Sequence, residues 1–261
     1  MSEKPLILIS NDDGYSAKGI NELMAVAREF ADIVVMAPEG NASAKSHSLT
    51  TSMPLRAKKI REEAASGHLH SLAIYACNGT PVDCVKLATE HFCPRRPTLV
   101  LSGINHGSNA SINILYSGTM GAALEAITNG YPAIGFSLLD HNSDADFSAC
   151  LPFIRQIIED ALTVGLPEDI ALNVNFPYAK QAPYKGLKVC RASRACWSDS
   201  FEQREDPYHQ PYWWLTGKFI CNDTTPDTDQ WALENGYVSV VPVKPDYTAF
   251  EAITNMKRLE K

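Results

Sequence analysis

The sequence predicts an α/β fold with a mostly parallel sheet covered by helices on both faces, and three observations carry that prediction. Short runs such as Leu6-Ile7-Leu8-Ile9, Ile33-Val34-Val35-Met36 and Leu99-Val100-Leu101 are apolar throughout, without the alternation of a half-exposed strand. Strands buried on both faces read this way. Between them lie stretches with helical periodicity, and each apolar run stops abruptly at small or polar residues.

The elements follow in order. Leu6 to Ile9 is a strand cut off by Ser10-Asn11-Asp12-Asp13-Gly14. Gly19 to Ala31 carries apolar residues at 20, 23, 24, 27 and 30, a helical period. The strand from Ile33 ends at Ala37-Pro38, and Leu69 to Ala76 reads as another. Pro81 opens a helix, since proline suits a first helical turn. The Leu99 strand ends at Ser102-Gly103, Thr119 to Asn129 is helical with Gly130 as its stop, and Ala133 to Leu139 is a strand. After about residue 140 a polar segment leads to a helix from Phe147 to Val164 and a strand from Asp169 to Phe176. Residues 183 to 223 are aromatic-rich and suggest hairpins and loops. Thr228 to Asn235 is a short helix, Tyr237 to Val243 a strand, and the tail from Ala249 to Lys261 an amphipathic helix.

With 261 residues, 45% hydrophobic and 20% charged, the chain suits one large domain, or one domain with an appendage. Lys and Arg total 23 against 30 Asp and Glu, a formal charge of −7. No basic run appears, so a nucleic-acid polymer is not the expected main partner, while small ligands stay open. No apolar stretch has the length of a membrane span, and the N-terminal MSEKPLILIS runs straight into Asn-Asp-Asp rather than a cleavage site. The seven cysteines contain no Cys-x-x-Cys pair and read as reduced thiols in a cytoplasmic chain.

In a parallel sheet, ligands bind beyond the carboxyl ends of the strands. Three loops there are polar in different ways. Asp12 and Asp13 are adjacent carboxylates, which repel unless a cation or donors separate them; they suit a hard divalent cation or a solvated Asp-Gly turn. The second loop, Pro38 to Thr50, is rich in hydroxyls and amides. After the Leu99 strand come Ser102 to Asn109, and then Tyr116-Ser117-Gly118-Thr119 opens a helix. A helix start offers free N–H groups to an anion, and Ser and Thr there also serve as ordinary caps. The Walker-type, Gly-x-Gly-x-x-Gly and Gly-x-Ser-x-Gly patterns are absent. Together the loops read as a metal-dependent phosphate site.

The motifs Ile9-Ser10-Asn11-Asp12-Asp13-Gly14, Ser46-His47-Ser48-Leu49-Thr50, Gly79-Thr80-Pro81-Val82-Asp83-Cys84, Ser102-Gly103-Ile104-Asn105 and Tyr116-Ser117-Gly118-Thr119 occur in that order. This array resembles the SurE family of metal-dependent 5′/3′-nucleotidases over about residues 6 to 139. The resemblance resumes at Leu172 to Pro177 and at Gly236 to Val240. It implies a Rossmann-like core over residues 1–182 and a C-terminal extension over 183–261, with a returning strand near 237–243, used in forming a homodimer or homotetramer. It also implies hydrolysis of nucleoside 5′- and 3′-monophosphates, extending to short polyphosphate. One divalent cation, Mg²⁺ or Mn²⁺, would be held by Asp12, Asp13, Ser43 and Asn105, and phosphate by Asn41, Ser117, Gly118 and Thr119.

The second loop departs from the family's usual Asp-Arg-Asn-Arg-Ser-Gly, reading Glu39-Gly40-Asn41-Ala42-Ser43-Ala44. Two cations are gone, which bears on phosphate affinity and substrate choice. Acidic residues common before the Tyr-Ser-Gly-Thr motif are replaced by Ile112 and Asn113, and the basic segment near 190–205 is also altered. Water is the expected nucleophile, with Asp12 and Asp13 as catalytic residues. His47 and His106 lie in the right loops for either a general-acid or a hydrogen-bonding role; the other histidines show no partner pattern. The aromatics Tyr208, Tyr212, Trp213 and Trp214 suit an oligomer contact better than base stacking. Two other readings are the same chemistry on a non-nucleotide phosphate ester and a non-catalytic nucleotide-binding protein.

Overall fold

The computed structural model describes residues 4–181 and 183–260. A nine-stranded sheet runs in the order β3-β4-β2-β1-β5-β6-β7-β11-β8. Its strands are β1 (Leu6–Ser10), β2 (Asp32–Pro38), β3 (Ala57–Glu63), β4 (Leu72–Cys77), β5 (Leu99–His106), β6 (Ala133–Leu138), β7 (Ala171–Phe176), β8 (Leu187–Val189) and β11 (Val238–Val243). From β4 through β7 all neighbours are parallel; β3 and β11 are antiparallel to β4 and β7.

Successive side chains of a strand point to opposite faces, and both faces of this sheet are roofed. Ile7 and Ile9 pack with α1 (Lys18–Ala27) and α4 (Leu151–Thr163), through Ile20, Leu23, Ile154 and Ile158. Leu6 and Leu8 pack on the other side with α2 (Pro81–His91) and α3 (Gly118–Thr128), through Val85, Ala88, Met120 and Ala123. Each such buried aliphatic contributes roughly 1.5–3 kcal/mol, so β1 must be apolar at every position. Its predicted character is borne out.

The chain leaves β1 towards β2 on one side, and α2 then carries it back across to β5 on the other. The order therefore reverses between β1 and β5. A crevice opens at such a switch point, beyond the carboxyl ends of the strands; Asp12 and Asp13 follow the end of β1 and Asn105 lies near the end of β5, the two strands that flank it.

Several expected boundaries move. The Leu99 strand does not end at Ser102-Gly103 but continues to His106, with a register shift against β6 between Ser102 and Asn105. The helix expected from Phe147 begins at Leu151, because residues 147–150 form a turn that buries Phe147. Strand β3, Ala-Lys-Lys-Ile-Arg-Glu-Glu, is unanticipated; its charges suit an edge strand, where they discourage further pairing.

The region after 183 divides in two. Strand β8, helix α5 (Asp229–Glu234) and β11 extend the main sheet, whereas β9 (Ala195–Glu205) and β10 (Pro211–Cys221) form a separate antiparallel hairpin. Helix α6 (Phe250–Met256) follows, with a 3-10 turn to Glu260. The division placed after residue 182, and the expected end of the tail helix at 261, fall outside the described residues. All seven cysteines are free. Among the described residues no helix is long and apolar enough to cross a membrane.

Gly103 sets the path of β5 towards the crevice. Its φ is +126°, and an added Cβ would lie 2.3 Å from the Phe136 carbonyl oxygen on β6. Gly103→Ala is expected to cost about 2 kcal/mol or more. A lowered urea midpoint with an unchanged m-value measures this.

Candidate active site

Residues from separate loops converge where β1 and β5 end. Asn11 closes the first turn, its side chain donating to the Gly14 carbonyl at 3.0 Å and accepting from the Gly14 N–H at 3.2 Å. This directs Asp12 inward, where it is only 3% exposed. The Thr119 hydroxyl donates to Asp12 Oδ1 at 2.6 Å, and the Ala42 N–H donates to the Asp12 carbonyl at 2.7 Å. Gly118 is required beside it, since a Cβ there would meet Asp12 Oδ2 at 2.9 Å. One residue thus joins the first loop, the second loop through its carbonyl and the start of α3 through its carboxylate.

Asp13 is half-buried and accepts the His106 backbone N–H at 3.2 Å, which ties the first loop to β5. No lysine or arginine pairs with either carboxylate among the described residues. Burial raises the Asp12 carboxyl to about 6, with the neighbouring Asp13 adding to the rise and the Thr119 hydrogen bond opposing it. Burial raises Asp13 as well, against the His106 N–H.

Asn105 is buried, and its Nδ2 donates to the Gly107 carbonyl at 2.9 Å, which leaves Oδ1 without a partner among the described residues. Ser43 is exposed; its backbone N–H and hydroxyl donate to Asn41 Oδ1 at 2.7 and 2.5 Å. Ser117 caps α3, accepting from the Met120 N–H at 2.9 Å. The remaining first-turn N–H groups give this helix its anion-attracting end. No three His, Cys, Asp or Glu side chains gather as a metal-binding group among the described residues. The oxygens present at this edge (two carboxylates, an amide and a hydroxyl) are instead the set a hard divalent cation prefers.

The two loop histidines differ. His47 Nε2 lies 2.9 Å from Glu125 Oε2 on α3, and Lys86 of α2 donates to the other oxygen at 2.8 Å. Burial pushes Glu125 up, but donation by His47, Lys86 and Asn129 outweighs it and holds the carboxyl at about 2. His47 therefore fastens the second loop to α3. His106 Nδ1 donates to the Asn142 carbonyl at 2.7 Å, and its ring stands edge-on to Phe147.

Two groups of residues had no role assigned from sequence. Asn173 and Asn175 on β7 form a buried network with Asn109 and Ser137 through four bonds of 2.8 Å each, fixing the segment that leads to Ser117. Asp83 completes a capping box with Thr80 and also accepts the Thr50 N–H. The Thr-x-x-Asp spacing carries the first signal; nothing local announces the second.

Because Asp12 is raised in the folded state above its usual 3.8, the folded protein binds its proton more tightly than the unfolded chain. The stability it contributes is full below about pH 4 and is lost as pH rises through about 6. In EDTA-treated protein, Asp12→Asn is thus expected to be more stable than the parent at about pH 7, by about 1–3 kcal/mol. The gap should close towards pH 4, as denaturant titrations at the two pH values would read.

Comparison with known proteins gives a consistent result. The family model described as Survival protein SurE matches residues 7–199. A protein named 5′-nucleotidase SurE from Flavobacterium psychrophilum is 50% identical over 250 residues, covering 96% of this chain and 95% of its own. A Bacteroides fragilis protein of the same name is 41% identical, covering 99% of each. The crystal structure of SurE protein from Aquifex aeolicus superposes with a TM-score of 0.82 at 36% identity, over 98% of this chain and 100% of the other. With the sheet order, the carboxylate pair and the helix start all in place, the chain belongs to the SurE family.

Proposed function

We propose that this chain is a metal-dependent phosphomonoesterase that hydrolyses nucleoside 5′- and 3′-monophosphates to nucleoside and inorganic phosphate. The relatives named 5′-nucleotidase support the reaction class. The observation that carries it is the buried Asp12, bonded to Thr119 and pressed against Gly118 where α3 begins.

Asp12, Asp13, Ser43 and Asn105 would hold the cation. When bound, a divalent cation supplies charge against the phosphoryl oxygens and acidifies water. The first-turn N–H groups at Gly118 and Thr119, with the Ser117 hydroxyl and the Asn41 amide, then orient the phosphoryl group and stabilise its oxygens as charge develops, the Ser117 N–H being turned to the Ile114 carbonyl at 3.4 Å. A carboxylate oxygen of the pair receives the proton of the attacking water. Each loop histidine engages one ring nitrogen, His47 Nε2 with Glu125 and His106 Nδ1 with the Asn142 carbonyl, so these contacts do not separate the two as proton donors to the leaving oxygen.

The hairpin supports assembly as a homodimer or homotetramer. Its strands are 11 residues long, and large apolar residues stand exposed on both faces, Trp214 at 57% and Leu215 at 66% among them. A two-stranded ribbon that is largely uncovered is marginal in water, and a second copy supplies the missing cover.

Phosphate release from 5′- and 3′-nucleoside monophosphates is expected with Mn²⁺ or Mg²⁺ and to cease in EDTA. Asp12→Asn and Asp13→Asn should each lower it by about 10²-fold or more. In thermal melts, Mn²⁺ should raise the Tm of the parent and leave the variants unmoved; activity retained in both at saturating metal would refute the assignment. For assembly, Trp214→Ser with Leu215→Ser should reduce the mass found by light scattering, and an unchanged mass would place the contact elsewhere.

A further inference from the structure

We infer that the cleft between the 38–53 loop and the β4–α2 junction is the nucleoside subsite, with Leu49 and Met53 forming the wall against the base. The inference rests on the nucleotidase reading above. The cleft has a volume of about 520 Å³, within the range of roughly 300–1,000 Å³ typical of small-molecule sites. It starts where the reaction centre stops: Asn41 and Ala42 line it, and the Ala42 N–H is bonded to the Asp12 carbonyl. From there it runs over the carboxyl ends of β2 and β4. A phosphomonoester held at Asp12 needs such a neighbouring cavity for the group attached to its leaving oxygen.

The lining suits a base on a sugar. Leu49 and Met53 are large apolar side chains left 52% and 53% exposed, and both border the cleft. Apolar surface kept in water beside a reaction centre marks a ligand contact, and a thioether packs well on an aromatic ring. Ser48, Thr50 and Ser52 line the same space with hydroxyls for the ribose. This wall is held in advance of binding. Both Asp83 oxygens accept the Thr50 N–H, at 3.1 and 3.2 Å, and the Thr80 hydroxyl donates to the Ser48 carbonyl at 2.7 Å.

Lys45 is the one cation lining the cleft, and it forms no ion pair among the described residues. Ala44 and Ser46 on either side of it have φ of +58° and +54°, a conformation that non-glycine residues adopt at a cost and that recurs at ligand clamps. It would draw in the substrate dianion and donate to ring acceptors. A second cavity of about 260 Å³, lined by His47, Ser117 and Tyr247, is smaller, and its histidine is committed to Glu125.

The test compares kcat/KM for AMP with that for β-glycerol phosphate, a phosphomonoester without a ring, in the full chain with Mn²⁺. Leu49→Ser combined with Met53→Ser should lower the AMP to glycerol phosphate ratio about tenfold, chiefly through the KM for AMP. Inhibition by adenosine should weaken by a similar factor. An unchanged ratio overturns the inference, as does a ratio that falls in Tyr247→Ala and not in the double variant. Should the parent hydrolyse neither ester, the nucleotidase reading fails on its own, and adenosine titrated calorimetrically into parent and double variant still decides the subsite: weaker binding to the variant supports it, and equal or no binding to both overturns it.

Discussion

A carboxylate that is almost fully buried, has a second carboxylate next to it and pairs with no lysine or arginine works against the fold that contains it. Asp12 is held so by geometry: β1 is fixed by apolar packing on both faces, Asn11 turns the chain inward, and Thr119 meets the carboxylate from the start of α3. Gly118 is part of the same constraint, since any larger residue would displace the carboxylate. A uniform apolar strand thus does more than add stability. It supplies the rigidity against which an unfavourable charge can be placed. Burial disfavours the unbalanced charge, so positive charge placed at this edge would relieve it.

The second loop is secured in a different way. Between Pro38 and Ala57 the chain has no strand or helix and little buried apolar surface, so hydrophobic packing does not hold it. Segments of that kind sit at the low-stability end of a fold unless specific bonds fix them. Here the bonds are polar and reach several elements: His47 to Glu125 on α3, the Ser46 hydroxyl to the Leu115 carbonyl at 2.5 Å, and the Thr50 N–H to Asp83 on α2. Two of the anchors land on α3 or on the turn that leads into it and the third on α2, so the loop is registered to the helix start as well as to the sheet.

What the sequence made legible follows from the same physics. Strands buried on both faces must be apolar throughout, so β1, β2, β5 and β6 are visible without any partner, and the loops at their carboxyl ends are marked as the place for chemistry. Asp12, Asp13, Asn105 and Ser117 to Thr119 were readable as types because they interrupt those runs. Edge strands obey a weaker rule. Strand β3 is charged because one of its sides faces solvent, and nothing local distinguishes it from a polar loop. The continuation of β5 through Gly103 to His106 was hidden for another reason, since Ser-Gly reads as a stop and only the neighbouring β6 shows that the strand goes on. Long-range pairings such as Thr50 with Asp83 and His47 with Glu125 were beyond reach, because their separation in sequence carries no periodic signal.

The C-terminal region is joined to the reaction centre through the short 3-10 turn at Ser111–Leu115 that precedes α3. Asp229 at the start of α5 is fully buried and accepts N–H groups from both Ser111 and Ser193, at 2.7 and 2.9 Å. The Ser111 hydroxyl donates to the Ser193 carbonyl, and the indole N–H of Trp197, on the hairpin, donates to Asn113 Oδ1 at 2.9 Å. The turn leads directly into Ser117, the cap of the helix whose first N–H groups face the carboxylate pair. The base of the hairpin is therefore bonded to the segment that leads into those N–H groups. Because buried polar bonds of this kind are costly to leave unmade, the extension and the helix start hold or loosen together.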